Sequence, residues 1–362
     1  MNTFQNIFFE FLQSYNIPEV LIFLFWNFIG FCFIAILMLF AVIILVLFER
    51  KYLAFFTRRK GPNRVGFCGC LQTVADAIKL LFKENILPKN AEKLIYYIAP
   101  LLVFVPIMTV WVLIPFSSFL VPYSSVVGLL LFFAILSLPI IGILFAGYSS
   151  GNNYAYLGGI RSCIQAISSE LPIFLVLASI VILTGTLELD KIVEYQKGTL
   201  FSWNIFPDLL GFIIFFICSL IVMNRIPFDF PEAESELVAG YNSEYSGMKF
   251  AMFFLGEYAL TFIMSAFMVT LFFGGYNSPI GFYIVDLFNI PIILNEFLKN
   301  IEQFFWLMFK SWILIMLIMW IRATYPRLRT DKTLELSWYI LLPLSIFNIF
   351  VIVLIKYCRG IL

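Results

Sequence analysis

The sequence predicts an all-α polytopic membrane protein with eight transmembrane helices and an interfacial amphipathic helix in the loop between the first two. Hydrophobic residues make up 62% of the 362 residues, and charged residues make up 12%. Runs without a charge, such as 20–48 and 94–160, exceed the roughly 20 residues that cross the hydrocarbon core of a bilayer. Helices are expected there because lipid offers no hydrogen bonds to the backbone.

The chain reads as one membrane domain, and its parts follow from the apolar runs. The domain spans 1–362. It consists of a short amphipathic lead at 1–19, an eight-helix bundle at 20–355 and a tail at 356–362. We expect the eight helices at about 20–48, 94–116, 126–147, 162–186, 204–223, 250–273, 303–321 and 336–355. A Gly-Pro-Asn turn at 61–63 breaks any helix in the first loop. Beyond it, apolar residues at helical spacing across 70–82 predict the amphipathic helix in the membrane interface.

Lysine and arginine predict the orientation. Most of the 23 basic residues fall in the loops between helices one and two, three and four, five and six, and seven and eight. The positive-inside rule places these loops on the cytoplasmic or matrix side and both termini on the other side. The 44 phenylalanines suit a gene rich in T and A. We therefore expect the mitochondrial inner membrane, with the basic loops in the matrix and the termini in the intermembrane space.

Composition argues against several classes of function. A net charge of +1 is too small for a nucleic-acid partner. The chain has no histidine, which excludes bis-histidine haem and the usual histidine-containing zinc and copper sites. The six cysteines are scattered, and a single C-x-C pair at Cys68 and Cys70 predicts free thiols rather than a cluster. We expect no metal, haem, flavin or Fe–S cluster to be bound by this chain.

An acidic stretch at 224–245 follows the fifth predicted helix. Its carboxylates are Asp229, Glu232, Glu234, Glu236 and Glu244. Neighbouring carboxylates in a low dielectric disfavour one another's ionisation, so such a cluster can exchange protons near neutral pH. The plain alternative is a solvated acidic loop that pairs with the basic first loop. Two more carboxylates, Glu170 and Glu257, lie inside apolar segments, where an ionisable group is a functional candidate unless it simply bonds to a neighbouring helix.

Basic and aromatic residues surround this stretch. The basic ones are Arg50, Lys51, Arg58, Arg59, Lys60, Arg64, Arg322, Arg327, Arg329 and Lys332. Topology and anionic lipid headgroups account for such a set, and docking of a soluble partner or a polar entrance is the alternative. The aromatic ones are Phe228, Phe230, Phe253 and Phe254. They are typical of core packing, and they also suit the walls of a channel for a lipid-soluble substrate.

Seven segments resemble a known family. They are ERKYLAFFTRRKGPNRVG, LQTVADAIKLLFKE, IAPLLVFVPIMTVWVLIPF, AGYSSGNNYAYLGGIRSCIQAISSE, NRIPFDFPEAESELVAGYNSEY, FAMFFLGEY and WIRATYPRLRTDKTLELSW. Together they cover about residues 20–345 in the family's order. The chain resembles subunit 1 of NADH:ubiquinone oxidoreductase, respiratory complex I, and its bacterial counterpart.

The resemblance implies an eight-helix subunit that forms much of the ubiquinone chamber and couples quinone reduction to proton translocation. Ubiquinone is then the substrate, and the partners are membrane lipids and other subunits of the complex, in its peripheral quinone module and its membrane part. Electrons arrive from iron–sulfur clusters in other subunits. The residues implied for the proton pathway are Glu170, Asp229, Glu232, Glu234, Glu236, Glu244 and Glu257. The residues implied for the quinone chamber and its loops are Arg50, Arg59, Asp76, Arg225, Phe228, Phe254, Arg322, Arg327 and Arg329.

One departure from the family pattern concerns the proton pathway. Val222 stands where the family has a glutamate, so the acidic row is interrupted unless water or a neighbouring subunit bridges it. Three other functions remain as alternatives: the membrane subunit of an energy-converting hydrogenase, a stand-alone secondary transporter and a structural anchor. The lack of a visible inverted repeat argues against the transporter.

Overall fold

A computed structural model describes residues 18–118, 125–230, 238–283, 285 and 292–358, and in these ranges the regular structure is helical, without strands. The helices, numbered along the chain, are α1 Glu19–Phe56, α2 Gln72–Phe82, α3 Lys93–Val110, α4 Gly128–Leu136, α5 Leu138–Ser149, α6 Asn153–Thr184, α7 Leu189–Tyr195, α8 Leu209–Val222, α9 Gly247–Phe272, α10 Ile292–Thr324, α11 Thr330–Glu335 and α12 Leu342–Cys358. A short π-helical segment, Leu336–Leu341, joins α11 to α12. The predicted all-α class is therefore confirmed.

Seven helical stretches of the described chain are long and apolar enough to cross a membrane. They are Gly30–Phe56, Lys93–Leu113, Gly128–Ser149, Asn153–Thr184, Gly247–Phe272, Asn295–Thr324 and Thr330–Cys358. The predicted fifth helix is present as α8, an apolar helix of 14 residues. At 1.5 Å per residue it measures about 21 Å, which is shorter than the hydrocarbon core. The multi-pass architecture is confirmed, and an eighth crossing stays a prediction.

Several helix boundaries differ from the sequence-based prediction for identifiable reasons. The first helix continues past its uncharged run to Phe56. The third predicted helix is divided at Ser137, between α4 and α5. The fourth begins at Asn153 rather than 162, because the Asn152 side chain caps it by accepting a hydrogen bond from the Tyr154 backbone N–H at 3.0 Å. Residues 153–159, which lie before the predicted start of the helix, are therefore helical.

The small residues of that segment serve close packing. A Cβ atom on Gly158 would lie 2.9 Å from the Cα atom of Gly240, so only glycine allows α6 to approach the turn Gly240–Asn242. This turn carries Tyr241 towards α9. The helix α9 contacts α1, α2, α3, α7, α8 and α10, and most of its apolar length is buried inside the protein. It is the central helix, and its buried rings stack on neighbours, as Phe267 does on Phe132 with a 3.6 Å centroid distance.

The helices alternate in direction, which gives the bundle two ends. We call the end that carries the segments 57–92, 150–152, 223–230, 238–246 and 325–329 the acidic-loop end. The end that carries the segments 185–208 and 273–283 is called the opposite end. Hydrogen bonds across the bundle fix this arrangement. Asn152 bonds to Glu244 at the acidic-loop end, and Asn204 bonds to the Leu271 carbonyl at the opposite end.

Candidate functional site

Glu49, in the last third of α1, is the centre of a buried ionic cluster at the acidic-loop end. Only 4% of its surface is exposed. The Arg225 Nη1 atom lies 3.4 Å from both carboxylate oxygens, and Arg322 Nη1 also donates to Oε1. The Arg225 guanidinium lies over the Tyr258 ring, 4.4 Å from its centroid. Two arginines around one carboxylate leave a net positive charge, which favours an electron-rich or anionic group nearby.

A cavity of about 10 Å³ adjoins this cluster. Its lining residues are Leu45, Glu49, Arg225, Thr261, Ile315, Ile318 and Met319. The Arg225 Nη2 atom is buried and has no hydrogen-bond partner among the described residues. A cavity of this volume holds about one water molecule. One bound water, or a polar atom of a ligand, would satisfy this donor.

A second ion pair joins the start of the acidic stretch to the segment after α10. Arg327 Nη2 lies 3.0 Å from Asp229 Oδ2. Beside it, the Leu328 backbone N–H donates to the Pro227 carbonyl at 3.0 Å. Gln165 Nε2 on α6 donates to the Phe228 carbonyl at 2.8 Å and to a carbonyl at the end of α8 at 3.1 Å. The turn is thus held from both sides, and it carries Arg225 to Glu49.

Arg50, one residue after Glu49, attaches α2 to α1. Its Nη1 atom lies 2.5 Å from Asp76 Oδ2, and Gln72 Nε2 donates to the other carboxylate oxygen at 3.1 Å. Because successive helical residues point about 100° apart, Glu49 faces the bundle while Arg50 faces α2. Apolar side chains at the start of α2 and along it are exposed: Leu71, Val74, Ile78, Leu81 and Phe82.

Glu257 on α9 lies beside a second cavity. Its Oε1 atom accepts a hydrogen bond from the Tyr241 hydroxyl at 2.8 Å. The cavity measures about 30 Å³, and its lining includes Val222, Asn224 and Ser162. This volume is sufficient for about two water molecules. Val222, the residue that interrupts the predicted acidic row, therefore borders space that water can occupy next to Glu257.

Two other predicted carboxylates have different surroundings. Glu244 Oε1 accepts from Asn152 Nδ2 at 2.8 Å, and its backbone carbonyl accepts from the Tyr96 hydroxyl at 2.8 Å. Its side chain borders an open polar cleft of about 420 Å³. Glu170 is half-buried on α6, and no described residue forms a hydrogen bond or ion pair with it. Glu170 is therefore free to contact a neighbouring chain.

Comparison with known proteins identifies the family. The family model described as NADH dehydrogenase matches residues 29–353. The chain belongs to the NADH dehydrogenase family. Relatives named as a subunit of NADH-quinone oxidoreductase include that of Rickettsia typhi, 47% identical over 301 residues, or 83% of this chain and 85% of the relative. Those of Brevibacillus brevis and Bacillus cytotoxicus are each 42% identical, over 316 residues (87% of this chain, 89% of the relative) and 335 residues (91% and 95%) respectively.

The structure brings together part of the residue set that the resemblance to this NADH dehydrogenase family implies. Arg225 and Arg322 meet at one carboxylate. Asp229 pairs with Arg327, Arg50 with Asp76, and Phe254 packs on Tyr258 with a 4.6 Å centroid distance. Phe228 is buried beside them, with 4% of its surface exposed.

Of the other predicted residues, two are exposed and three cannot be placed. Arg59 is exposed, and the exposed Arg329 pairs with Asp331 at 3.0 Å. Glu232, Glu234 and Glu236 lie outside the described residues. None of the six cysteines forms a disulfide bond. In the described ranges, no group of three or more histidine, cysteine, aspartate or glutamate side chains could hold a metal ion, and the expectation that none is bound stays a prediction.

Sequence reasoning missed Glu49, the carboxylate that joins the two arginines. It is the first charged residue after the uncharged run 20–48, followed at once by Arg50 and Lys51, so it reads as the start of a loop. In the structure, α1 continues past it. The available signal was helical continuation, because 49–56 contains no glycine or proline that would end a helix.

Proposed function

We propose that this chain is the membrane subunit of an NADH-quinone oxidoreductase, where it supplies a wall of the quinone chamber and couples quinone reduction to proton uptake. The observation that supports this most is the buried Glu49–Arg225–Arg322 cluster. It lies at the same end of the bundle as the protonatable groups Glu257 and Asp229. The chain has no complete active site of its own, and NADH-derived electrons reach the quinone, expected to be ubiquinone, through partner subunits.

A quinone needs apolar walls for its ring and donors for its carbonyl oxygens. The aromatic side chains of Phe254 and Tyr258 supply an apolar face, and the buried Arg225 Nη2 atom supplies a donor. Reduction places negative charge on the quinone oxygens. At an effective dielectric of about 20, two unit charges about 4 Å apart interact by roughly 4 kcal/mol, enough to change a proton-binding constant about a thousandfold.

That change in charge is what we propose to drive proton transfer. Protons move through the carboxylates of the acidic stretch to Glu257 and Glu170 and on to neighbouring subunits. The proposed groups are Asp229, Glu232, Glu234, Glu236, Glu244, Glu257 and Glu170. At the interruption beside Val222, water in the adjacent 30 Å³ cavity can carry the proton between polar groups.

The disposition in the membrane is part of the proposal. The helix α8 is the eighth crossing, because the chain leaves α6 at the opposite end and enters α9 at the acidic-loop end. The exposed apolar face of α2 suits the membrane interface or a partner subunit. The exposed basic residues of the first loop support an orientation with the acidic-loop end in the matrix and both termini in the intermembrane space. The mitochondrial location rests on composition, since the relatives named above are bacterial.

Arg322→Met tests the quinone chamber. It keeps an unbranched apolar stem and removes one of the two positive charges at Glu49, so quinone binding should weaken. In native membranes we expect NADH–quinone activity to fall about tenfold or more, or the KM for quinone to rise similarly. NADH oxidation by a water-soluble artificial acceptor, which reports the amount of assembled enzyme, should not change.

Lys332→Met is the matched control. It removes an exposed basic residue that closely follows the same segment, with 66% of its side chain accessible. We expect near wild-type quinone kinetics. Equal losses in the two variants would contradict a specific role of the buried cluster, and a parallel loss of artificial-acceptor activity would indicate an assembly defect instead.

A further inference from the structure

Asp208 is a buried carboxyl group far from the cluster described above. It caps the start of α8 at the opposite end of the bundle, and 1% of its surface is exposed. Its Oδ1 atom accepts from the Gly211 backbone N–H at 2.9 Å and from Asn348 Nδ2 at 2.8 Å. Its Oδ2 atom lies 2.8 Å from Ser179 Oγ. All three partners are neutral, so an ionised Asp208 would lack a cation to offset its desolvation.

The Ser179 hydroxyl lies between two acceptors. Its Oγ atom is 2.7 Å from the Val176 carbonyl and 2.8 Å from Asp208 Oδ2, and it accepts from Asn348 Nδ2 at 3.2 Å. A hydroxyl has one proton to donate. If Asp208 is ionised, only one of the two short contacts contains a hydrogen. If Asp208 is protonated, it donates to Ser179, Ser179 donates to Val176, and both contacts are hydrogen bonds.

We propose that Asp208 is a proton-binding site that is occupied at neutral pH. The neutral carboxyl group then ties the start of α8 to Ser179 on α6 and Asn348 on α12. The ligand is a proton from the water at the opposite end, and releasing it places an unpaired carboxylate between these three helices. This proposal does not depend on the quinone chamber or on the route through Glu257.

The charged residues of the neighbouring helices do not bond to this carboxyl group. Those on the helices packed against α8 are Arg161 and Glu170 on α6, Lys249 and Glu257 on α9, and Lys356 on α12. Of these, Lys356 lies at the same end, and its Nζ atom donates to the Ile182 carbonyl at 2.7 Å. Lys310 of α10 donates to three backbone carbonyls.

Infrared spectroscopy of the native complex with an Asp208→Asn variant tests the protonation state. Asparagine offers a carbonyl to Gly211 and Asn348 and an amide N–H to Ser179, so it reproduces the bonds of the protonated acid. We expect normal assembly. The wild-type minus variant spectrum at neutral pH should contain the C=O band of a protonated carboxyl group, shifted in D₂O. Asn348→Leu removes a donor to that C=O and should move the band to higher wavenumber.

Three results would overturn the proposal. One is the absence of the carboxyl band at neutral pH, or its appearance only in acid. The second is failure of Asp208→Asn to assemble, since an ionised carboxylate would then be required. The third comes from stability. Because the folded state binds the extra proton, the stability of the wild type should fall as the pH rises above the pKa of an unfolded aspartate.

Thermal unfolding of the complex between about pH 6 and about pH 8 measures this slope. The midpoint of the wild type should fall more steeply with rising pH than the midpoint of Asp208→Asn, which cannot titrate. Asp331→Asn, at an aspartate with 64% of its side chain accessible, is the control and should keep the wild-type slope. Equal slopes for the wild type and Asp208→Asn would be the third contrary result.

Discussion

The two ends of the bundle hold their buried polar groups in different ways. At the acidic-loop end, charged side chains from distant parts of the chain bond to one another, as Arg225 and Arg322 do at Glu49. At the opposite end, the buried cation Lys310 bonds to backbone carbonyls instead. Lys310 Nζ lies 2.6–3.0 Å from the carbonyls of Phe273, Gly275 and Asn277, and 4.4 Å from the centre of the Trp203 ring.

This difference indicates where a change of charge can have an effect. An ion pair between side chains can rearrange when a nearby group gains or loses charge, since rotamers change more easily than backbone. Carbonyls of a turn cannot follow without opening the fold. The buried Gln196 illustrates the second case, because it accepts from the Gly274 N–H at 2.9 Å and donates to the Thr270 carbonyl at 3.0 Å. We therefore assign the coupling to quinone charge to the acidic-loop end, and rigidity to the turns around Lys310 and Gln196 at the opposite end.

Glu49→Gln should have the largest effect of the substitutions at the two ends. It leaves two arginines side by side at a buried position without the charge that holds them. Removing one partner of a buried ion pair costs about 3–5 kcal/mol. We expect the amount of assembled complex in native membranes to fall strongly, and the remaining enzyme to lose most of its NADH–quinone activity.

Glu335→Gln is the control for this variant. Glu335 pairs with Lys332 at 2.6 Å, and 52% of its side chain is accessible, so its loss should change little. Wild-type assembly and activity of Glu49→Gln would show that the cluster at α1 does not hold the two arginines.

The extent to which sequence predicts structure also differs between secondary and tertiary features. Helices follow from long apolar runs, because a segment in lipid must satisfy its own backbone. The pairing of Glu49 with Arg322 does not follow, since 273 residues separate the two and only the packing of α1 on α10 brings them together. The resemblance implied Arg225 and Arg322 as chamber residues, and the structure supplied the carboxylate between them.

Local hydrogen bonds explain why the start of the predicted fifth helix was wrong. The predicted fifth helix was expected at 204–223, and α8 is shorter. The segment before it bends because the Asp208 backbone N–H donates to the Asn204 carbonyl at 3.0 Å, and the Asp208 side chain then caps the helix. Hydropathy does not distinguish a capping turn from a further helical turn when both are apolar.

Lys310→Met tests whether the buried lysine at the opposite end serves stability alone, and its expected effect is smaller. It leaves three buried carbonyls without their donor, and a lost hydrogen-bond partner of this kind costs about 1–3 kcal/mol. We expect the thermal midpoint and the amount of complex to fall, while the KM for quinone of the assembled enzyme stays at its wild-type value. A raised KM without a loss of stability would contradict the division of roles between the two ends.

Arg50→Gln should have the smallest effect, and it separates exposed from buried ion pairs at the same end. The side chains of Arg50 and Asp76 are 40% and 33% accessible. Exposed pairs contribute about 0–1 kcal/mol, and salt screens them. We expect near-normal assembly and quinone activity, with faster proteolytic cleavage in the exposed loop around α2 at low salt and little difference from the wild type at high salt. Arg58→Gln, at an exposed arginine of the same loop, is the control. If Arg50→Gln reduced activity as strongly as Glu49→Gln, the attachment of α2 would be as important to the reaction as the buried cluster. A loss that stayed the same at every salt concentration would also mean that the pair behaves as a buried one, because salt cannot screen an interaction from which water is excluded.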